Sequence, residues 1–118
     1  MVAAIKNKYA GIHLIVEFWG GKIIEDAEKI KDLLIKTAEV SHNTPLDVKI
    51  HKFDPQGITG FILLAESHIS IHTWPERDYV AIDIFSCGRD SQPYEGLKYL
   101  EQEFQPKKTK VQEIKRGA

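Results

Sequence analysis

Between positions 65 and 76 the chain places an acid (Glu66), two serine hydroxyls (Ser67 and Ser70) and two imidazoles (His68 and His72) in a run that otherwise reads as buried β-strand. Such groups give and take protons. Burying them without partners is costly, so a core strand seldom carries this many unless chemistry requires them. The period-2 alternation of a strand puts His68, Ser70 and His72 on one face and Ile69, Ile71 and Thr73 on the other, which marks the first face as catalytic or interfacial. Two other readings of the histidines compete with catalysis. Histidine is often only partly buried, so a pair at i and i+4 also suits ordinary satisfied residues. A metal site fits less well. Positions two and four apart on a strand are separated by roughly 7 and 13 Å, too far for one ion, and no carboxylate or thiol stands at ligand spacing. No metal is expected.

The elements that must hold this strand follow from periodicity. Residues 12–18 are apolar and β-branched apart from the polar punctuation of His13 and Glu17, a first strand. Over 24–40 the period changes: Ala27, Ile30, Leu34 and Thr37 recur at helical spacing, widened by Leu33 and Ala38, with most charges outside the stripe. The cluster Ser41-His42-Asn43-Thr44-Pro45 ends that helix, and strands are expected at 46–53, 60–66, 68–74 and 79–86, joined by short turns. A second helix begins near Pro93, with Ser91 or Asp90 as cap and Tyr94, Leu97, Leu100 or Glu101, and Phe104 on its inner side. A last strand covers 109–114, while residues 1–9 and 115–118 are polar enough to fray. The order predicts an α+β, two-layer sandwich in which two helices cover one face of a mostly antiparallel sheet.

Composition bounds the rest. A chain of 118 residues, 42% hydrophobic and 28% charged, suits one domain spanning 1–118 with a small core that gains from oligomerisation. Sixteen basic against 17 acidic residues leave a net charge of −1, which disfavours nucleic acid or an anionic membrane as partner and points to a small molecule. The single cysteine, Cys87, cannot form an intrachain disulfide, and no apolar segment approaches the length of a membrane span or signal peptide. A reducing cytoplasm is expected.

The run Glu66-Ser67-His68-Ile69-Ser70-Ile71-His72-Thr73-Trp74-Pro75-Glu76, followed by Asp83-Ile84-Phe85-Ser86-Cys87-Gly88, closely resembles the small prokaryotic S-adenosylmethionine decarboxylases. The likeness extends to His51-Lys52-Phe53, to Gly57-Ile58-Thr59-Gly60 and to the opening residues 11–18, so it covers nearly the whole chain. It implies a self-processing proenzyme. Ser67 attacks the carbonyl of the cleavage-site residue Glu66, an ester forms, and elimination leaves a pyruvoyl group on a new α chain, 67–118, beside a β chain, 1–66. The pyruvoyl ketone, joined to the substrate amine as a Schiff base, replaces pyridoxal phosphate as the electron acceptor that decarboxylation needs. No phosphate cradle for an organic cofactor is present.

The resemblance also assigns roles. His72 takes the serine α-proton during processing, assisted by Thr59 at a position where the family usually has serine; threonine keeps the hydroxyl but restricts χ1. Cys87 returns a proton to the substrate α-carbon, whereas taken alone a lone cysteine would read as a small buried hydrophobe. Phe53 stacks on adenine and Glu76 binds the ribose hydroxyls, against the plainer readings of a strand-end core ring and a turn charge. Trp19 is the candidate for the opposing face of adenine, although an aromatic at a strand end commonly serves packing. The product would be decarboxylated S-adenosylmethionine, the aminopropyl donor for spermidine and polyamine biosynthesis.

Spacing adds a constraint. Ser67 and His72, five residues apart, lie roughly 16 Å apart on an extended strand and face opposite sides. Either the chain turns sharply at 67–68, or each subunit of a homodimer supplies His72 to the other's Ser67. The second arrangement, also implied by the resemblance, draws Ser67 and Cys87 from one protomer and Phe53, Thr59, His72 and Glu76 from its partner, giving two α and two β chains after cleavage. Two alternatives stay open: a pyruvoyl-dependent arginine or ornithine decarboxylase with the same processing motif, and a non-catalytic binding module that does not process.

Overall fold

Alternating apolar and polar side chains give six strands that hydrogen-bond into one sheet. The computed structural model describes residues 9–88 and 90–117. Its elements are β1 (Gly11–Trp19), α1 (Ala27–Val40), β2 (Pro45–Lys52), β3 (Ile58–Leu64), β4 (Ser67–Trp74), a 3₁₀ turn (Pro75–Arg77), β5 (Tyr79–Ser86), α2 (Pro93–Phe104) and β6 (Lys108–Arg116). The strand order is β2-β3-β4-β5-β1-β6 and every neighbouring pair is antiparallel. Thus β4, which carries Ser67, His68, Ser70 and His72, is central, and Cys87 follows directly on its neighbour β5.

Both helices pack on one face, α1 over β2 and β3 and α2 over β5, and they pack against each other. Beneath them Leu14, Val16 and Phe18 of β1, Ile69 and Ile71 of β4, and Ile82 and Ile84 of β5 are no more than 1% exposed. Removing these side chains from water is the main stabilising term of the fold. Gly96 lets the helices approach: a Cβ there would lie 2.2 Å from Ser41 Oγ and 3.0 Å from Thr37 Cγ2. Among the described residues the other face of the sheet carries no helix, and Phe61 and Leu63 on it are 39% and 43% exposed. No helix among the described residues is long and apolar enough to cross a membrane.

The α+β two-layer architecture is as expected, but several boundaries move. The first helix starts at Ala27, not residue 24, because Asp26 caps it by accepting the N–H groups of Glu28 and Lys29. Neither Ser91 nor Asp90 caps the second helix. Gln92 takes that position without a side-chain cap, and Pro93 begins the helix where its missing N–H costs nothing. Leu100, not Glu101, lies in the core, and Tyr94 is turned outward to donate its hydroxyl to Glu113 of β6 at 2.5 Å. Residues 65 and 66 form a turn instead of the end of β3, so the Glu66–Ser67 bond sits where that turn enters β4. Residues 115 and 116 are held in β6 by pairing with Ile12 and Gly11; the expectation of fraying at 1–8 and 118 falls outside the described residues.

Candidate active site

At the start of β4 three groups converge on one peptide bond. The carbonyl oxygen of Glu66 accepts a hydrogen bond from the Cys87 thiol at 2.9 Å and another from the Cys87 backbone N–H at 3.2 Å. The Glu66 carboxylate is tied back by Thr44, whose N–H and hydroxyl donate at 2.8 and 3.1 Å. Strand pairing brings Cys87 there, because Ser67 is opposite Ser86 and Cys87 is the next residue out of β5. Gly11 of β1 permits the close packing, since a Cβ on it would meet the Ser86 carbonyl oxygen at 2.8 Å and Cys87 Cβ at 3.0 Å. Burial pushes the Cys87 thiol up from its ordinary pKa, and the Glu66 carboxylate pushes the same way. The thiol therefore keeps its proton at neutral pH and can donate it.

Ser67 has a φ of 153°, a region that side-chain-bearing residues seldom occupy and that costs on the order of 1–3 kcal/mol. Its hydroxyl lies 3.2 Å from His68 Nδ1, a contact between adjacent residues that regular strand alternation would direct to opposite faces. Beside Cys87 a cleft of about 170 Å³ is lined by Gly11, Ser86, Gly88 and Ser91 among others.

The far end of β4 builds a second group. Register places Thr59 of β3 opposite His72, and Thr59 Oγ1 lies 3.1 Å from His72 Nδ1. These two residues, with Phe53, Gln56, Trp74 and Glu76, line a cleft of about 230 Å³. Phe53 is 49% exposed, so it is not a core ring; it meets His51 edge-on at 4.5 Å. Glu76 sits on the 3₁₀ turn and accepts a hydrogen bond from Gln56 at 3.4 Å.

The structure thus brings Glu66, Ser67 and Cys87 together, and separately Phe53, Thr59, His72 and Glu76. It does not join the two groups within one chain. From Ser67 through His72 to Trp74 the pairing of β4 with β5 is unbroken, so no turn folds His72 back onto Ser67. Trp19 is in neither group. Register sets it opposite Tyr79, against which its ring packs at 5.5 Å, and Lys108 lies over it at 4.9 Å, while β5 separates it from β4. The ring that does line the Phe53 cleft is Trp74, which sequence reasoning passed over although it lies in the same run and two residues beyond His72. Thr44 was passed over as well; it is 22 residues from Glu66 in sequence, and only the tertiary fold joins them.

Between the two groups the helix-free face carries a polar band. His13 Nε2 and Asp83 Oδ1 are 2.9 Å apart, and Ser70 donates to Asp83 Oδ2 at 3.4 Å. His68 stacks on Phe61 and meets His13 and Phe85 edge-on. Burial lowers the His68 pKa, His13 and Arg116 add to the effect, and Asp83 opposes it.

The family model for S-adenosylmethionine decarboxylase matches residues 12–117. The S-adenosylmethionine decarboxylase proenzyme of Methanococcus maripaludis is 44% identical over 112 residues, covering 93% of this chain and 92% of the relative. That of Caldanaerobacter subterraneus is 37% identical over 109 residues, covering 91% and 88%. The crystal structure of the adenosylmethionine decarboxylase from Aquifex aeolicus superposes with a TM-score of 0.88 at 34% identity, covering 95% of this chain and 94% of that one. With sheet, helices and nearly the full length matched at this identity, the chain belongs to the S-adenosylmethionine decarboxylase family of decarboxylase proenzymes.

Proposed function

We infer that this chain is a self-processing, pyruvoyl-dependent S-adenosylmethionine decarboxylase that works as a cytoplasmic homodimer and supplies the aminopropyl donor for polyamine synthesis. The observation that carries this reading is the Glu66 carbonyl, which accepts both the thiol and the N–H of Cys87 next to the Ser67 hydroxyl. Attack of Ser67 Oγ on that carbonyl carbon places negative charge on an oxygen where two donors already point. Breaking the Glu66–Ser67 C–N bond leaves an ester on Oγ and an amine on residue 67, and relieves the φ of 153°. Removal of the Ser67 α-proton then expels the main-chain α-carboxylate of Glu66, the new C-terminus of chain 1–66; tautomerisation and hydrolysis release ammonia and leave a pyruvoyl ketone opening chain 67–118.

The residues present suit that group. Cys87, with its proton retained by burial, stands beside the position the ketone would take and serves as the proton donor to the substrate α-carbon. When formed, the ketone supplies the electron acceptor that decarboxylation of an amino acid needs.

The α-proton acceptor is the partner's His72, oriented by the partner's Thr59. Antiparallel β4 strands related by a two-fold axis near Ser70, midway between positions 67 and 72, bring each Ser67 end to the other chain's His72 end. The helix-free face suits that contact because it exposes Phe61, Leu63 and Trp74. In the cleft at the His72 end, Phe53 offers a ring for adenine and the Glu76 carboxylate accepts from the ribose hydroxyls. Intact mass spectrometry tests the processing: fragments 1–66 and 67–118, the second blocked at its N-terminus, support it, and a stable 118-residue chain opposes it. Carbon dioxide release compared among S-adenosylmethionine, arginine and ornithine tests the substrate.

A further inference from the structure

We propose that His68 is the general base for the first processing step, taking the Ser67 hydroxyl proton within its own chain. The inference rests on the self-processing reading above and assigns a step that reading leaves without a base. Formation of the ester requires the Oγ proton to leave and the departing amine to gain one; the chain's own His72 is on the order of 16 Å along the strand, and the partner's His72 already has the later task of taking the α-proton. The Glu66 carboxylate is engaged by both donors of Thr44. His68 Nδ1 is the imidazole nitrogen at the hydroxyl, 3.2 Å away, within the reach expected of a general base and its substrate proton.

Three features fit the ring for this task. The unusual φ of Ser67 turns the hydroxyl toward His68, so a strained backbone is maintained where the contact is made. Stacking on Phe61 and edge contacts with Phe85 and His13 fix the ring plane. Its surroundings also favour the neutral, proton-accepting form: burial acts first, and the imidazole of His13 on β1 and the guanidinium of Arg116 on β6 act with it, while Asp83 on β5 acts against it and β3 contributes the uncharged Phe61 and Leu63.

The step balances. The Oγ–H proton passes to Nδ1 as the O–C bond forms, with the charge on the Glu66 carbonyl oxygen held by Cys87. As the tetrahedral centre collapses, the C–N bond breaks and the imidazolium returns the proton to the Ser67 nitrogen. His68 is thus restored before the partner's His72 acts, and ester formation needs one chain while elimination needs two.

A His72→Ala chain isolates the first step, since it stops at the ester, which hydroxylamine cleaves between residues 66 and 67. We expect its rate of ester formation to fall as pH drops through a single protonation below the usual histidine value of about 6.5. Adding His68→Asn, which keeps a polar group near the hydroxyl without basicity, should lower that rate by about 100-fold or more and abolish the pH step. Circular dichroism and oligomeric state verify that the double variant is folded. Ester formation at an unchanged rate in the folded double variant overturns the proposal. If that variant does not fold, a rate in His72→Ala alone that is flat from pH 5 to 7 overturns it, and a step there that solvent imidazole relieves in His68→Gly supports it. A parent chain that stays intact removes the processing reading and this proposal together, whereas a parent that cleaves with an unaffected His68→Asn removes this proposal alone.

Discussion

The Cys87 thiol lies 2.9 Å from the carbonyl oxygen of Glu66, and its own backbone N–H reaches the same oxygen at 3.2 Å. In the proposed reaction one residue would therefore serve the bond to be broken with two donors, and later stand beside the reacting carbon with its proton retained. The same burial that raises the thiol pKa makes both uses possible, because a thiolate would repel the developing oxyanion and have no proton to give.

Replacing Cys87 by alanine removes one of these donors and leaves the other. Processing should slow by at least about 10-fold, while Cys87→Ser, which keeps a hydroxyl donor, should process faster than Cys87→Ala. The time course of appearance of fragment 67–118 on a denaturing gel measures both.

Alkylation reports the state of the thiol directly. With the pKa raised, the thiolate fraction at pH 7 is below that of an ordinary cysteine near 8.5, so iodoacetamide should modify Cys87 in an uncleaved Ser67→Ala chain more slowly than it modifies cysteine in a peptide. The rate should climb only above that pH. Faster modification than the peptide at pH 7 would contradict the account.

Thr59 faces His72 across the β3–β4 ladder at hydrogen-bond distance. Thr59→Val keeps the shape and loses the bond, which at about 1 kcal/mol corresponds to roughly a 5-fold slower elimination step. Thr59→Ser should restore it. Accumulation of hydroxylamine-sensitive ester in the valine variant, absent from the serine variant, is the expected signature.

The helix layer has its own test at Gly96. A methyl there overlaps Ser41 Oγ and lies 3.0 Å from Thr37 Cγ2, so the buried Ser41 and Thr37 side chains must shift or α1 and α2 must separate. Gly96→Ala should cost about 1–3 kcal/mol despite the better helix propensity of alanine, read as a lowered midpoint of thermal unfolding.

Much of this was legible in the residues because period and burial coincide. The alternation through 68–74 placed Ile69, Ile71 and Thr73 inward and the histidines on the open face, and the apolar stripe of α1 lies where Ile30, Leu33, Leu34, Thr37 and Ala38 put it. Periodicity does not fix ends. The Asp26 cap and the turn at 65–66 depend on single hydrogen-bond and backbone choices that an apolar pattern does not encode. Tyr94 went astray because a ring next to the buried stripe found Glu113 on a strand that joins the sheet later. The Ser67–His68 contact was hidden for a sharper reason: alternation separates neighbours, and only the φ of Ser67 brings them together. Trp19 and Trp74 each end a strand, and strand order alone puts the second in the Phe53 cleft.

The central claim is that the two groups at the ends of β4 complete each other only across a two-fold axis. Coexpression of a Ser67→Ala chain with a His72→Ala chain tests it most directly, with intact mass as the readout. Neither chain should process alone to a pyruvoyl end. In mixed dimers the His72→Ala chain, whose Ser67 meets the intact His72 of the Ser67→Ala chain, should yield fragments 1–66 and 67–118 with a blocked N-terminus. Mixed dimers in which no chain ever processes would contradict the account.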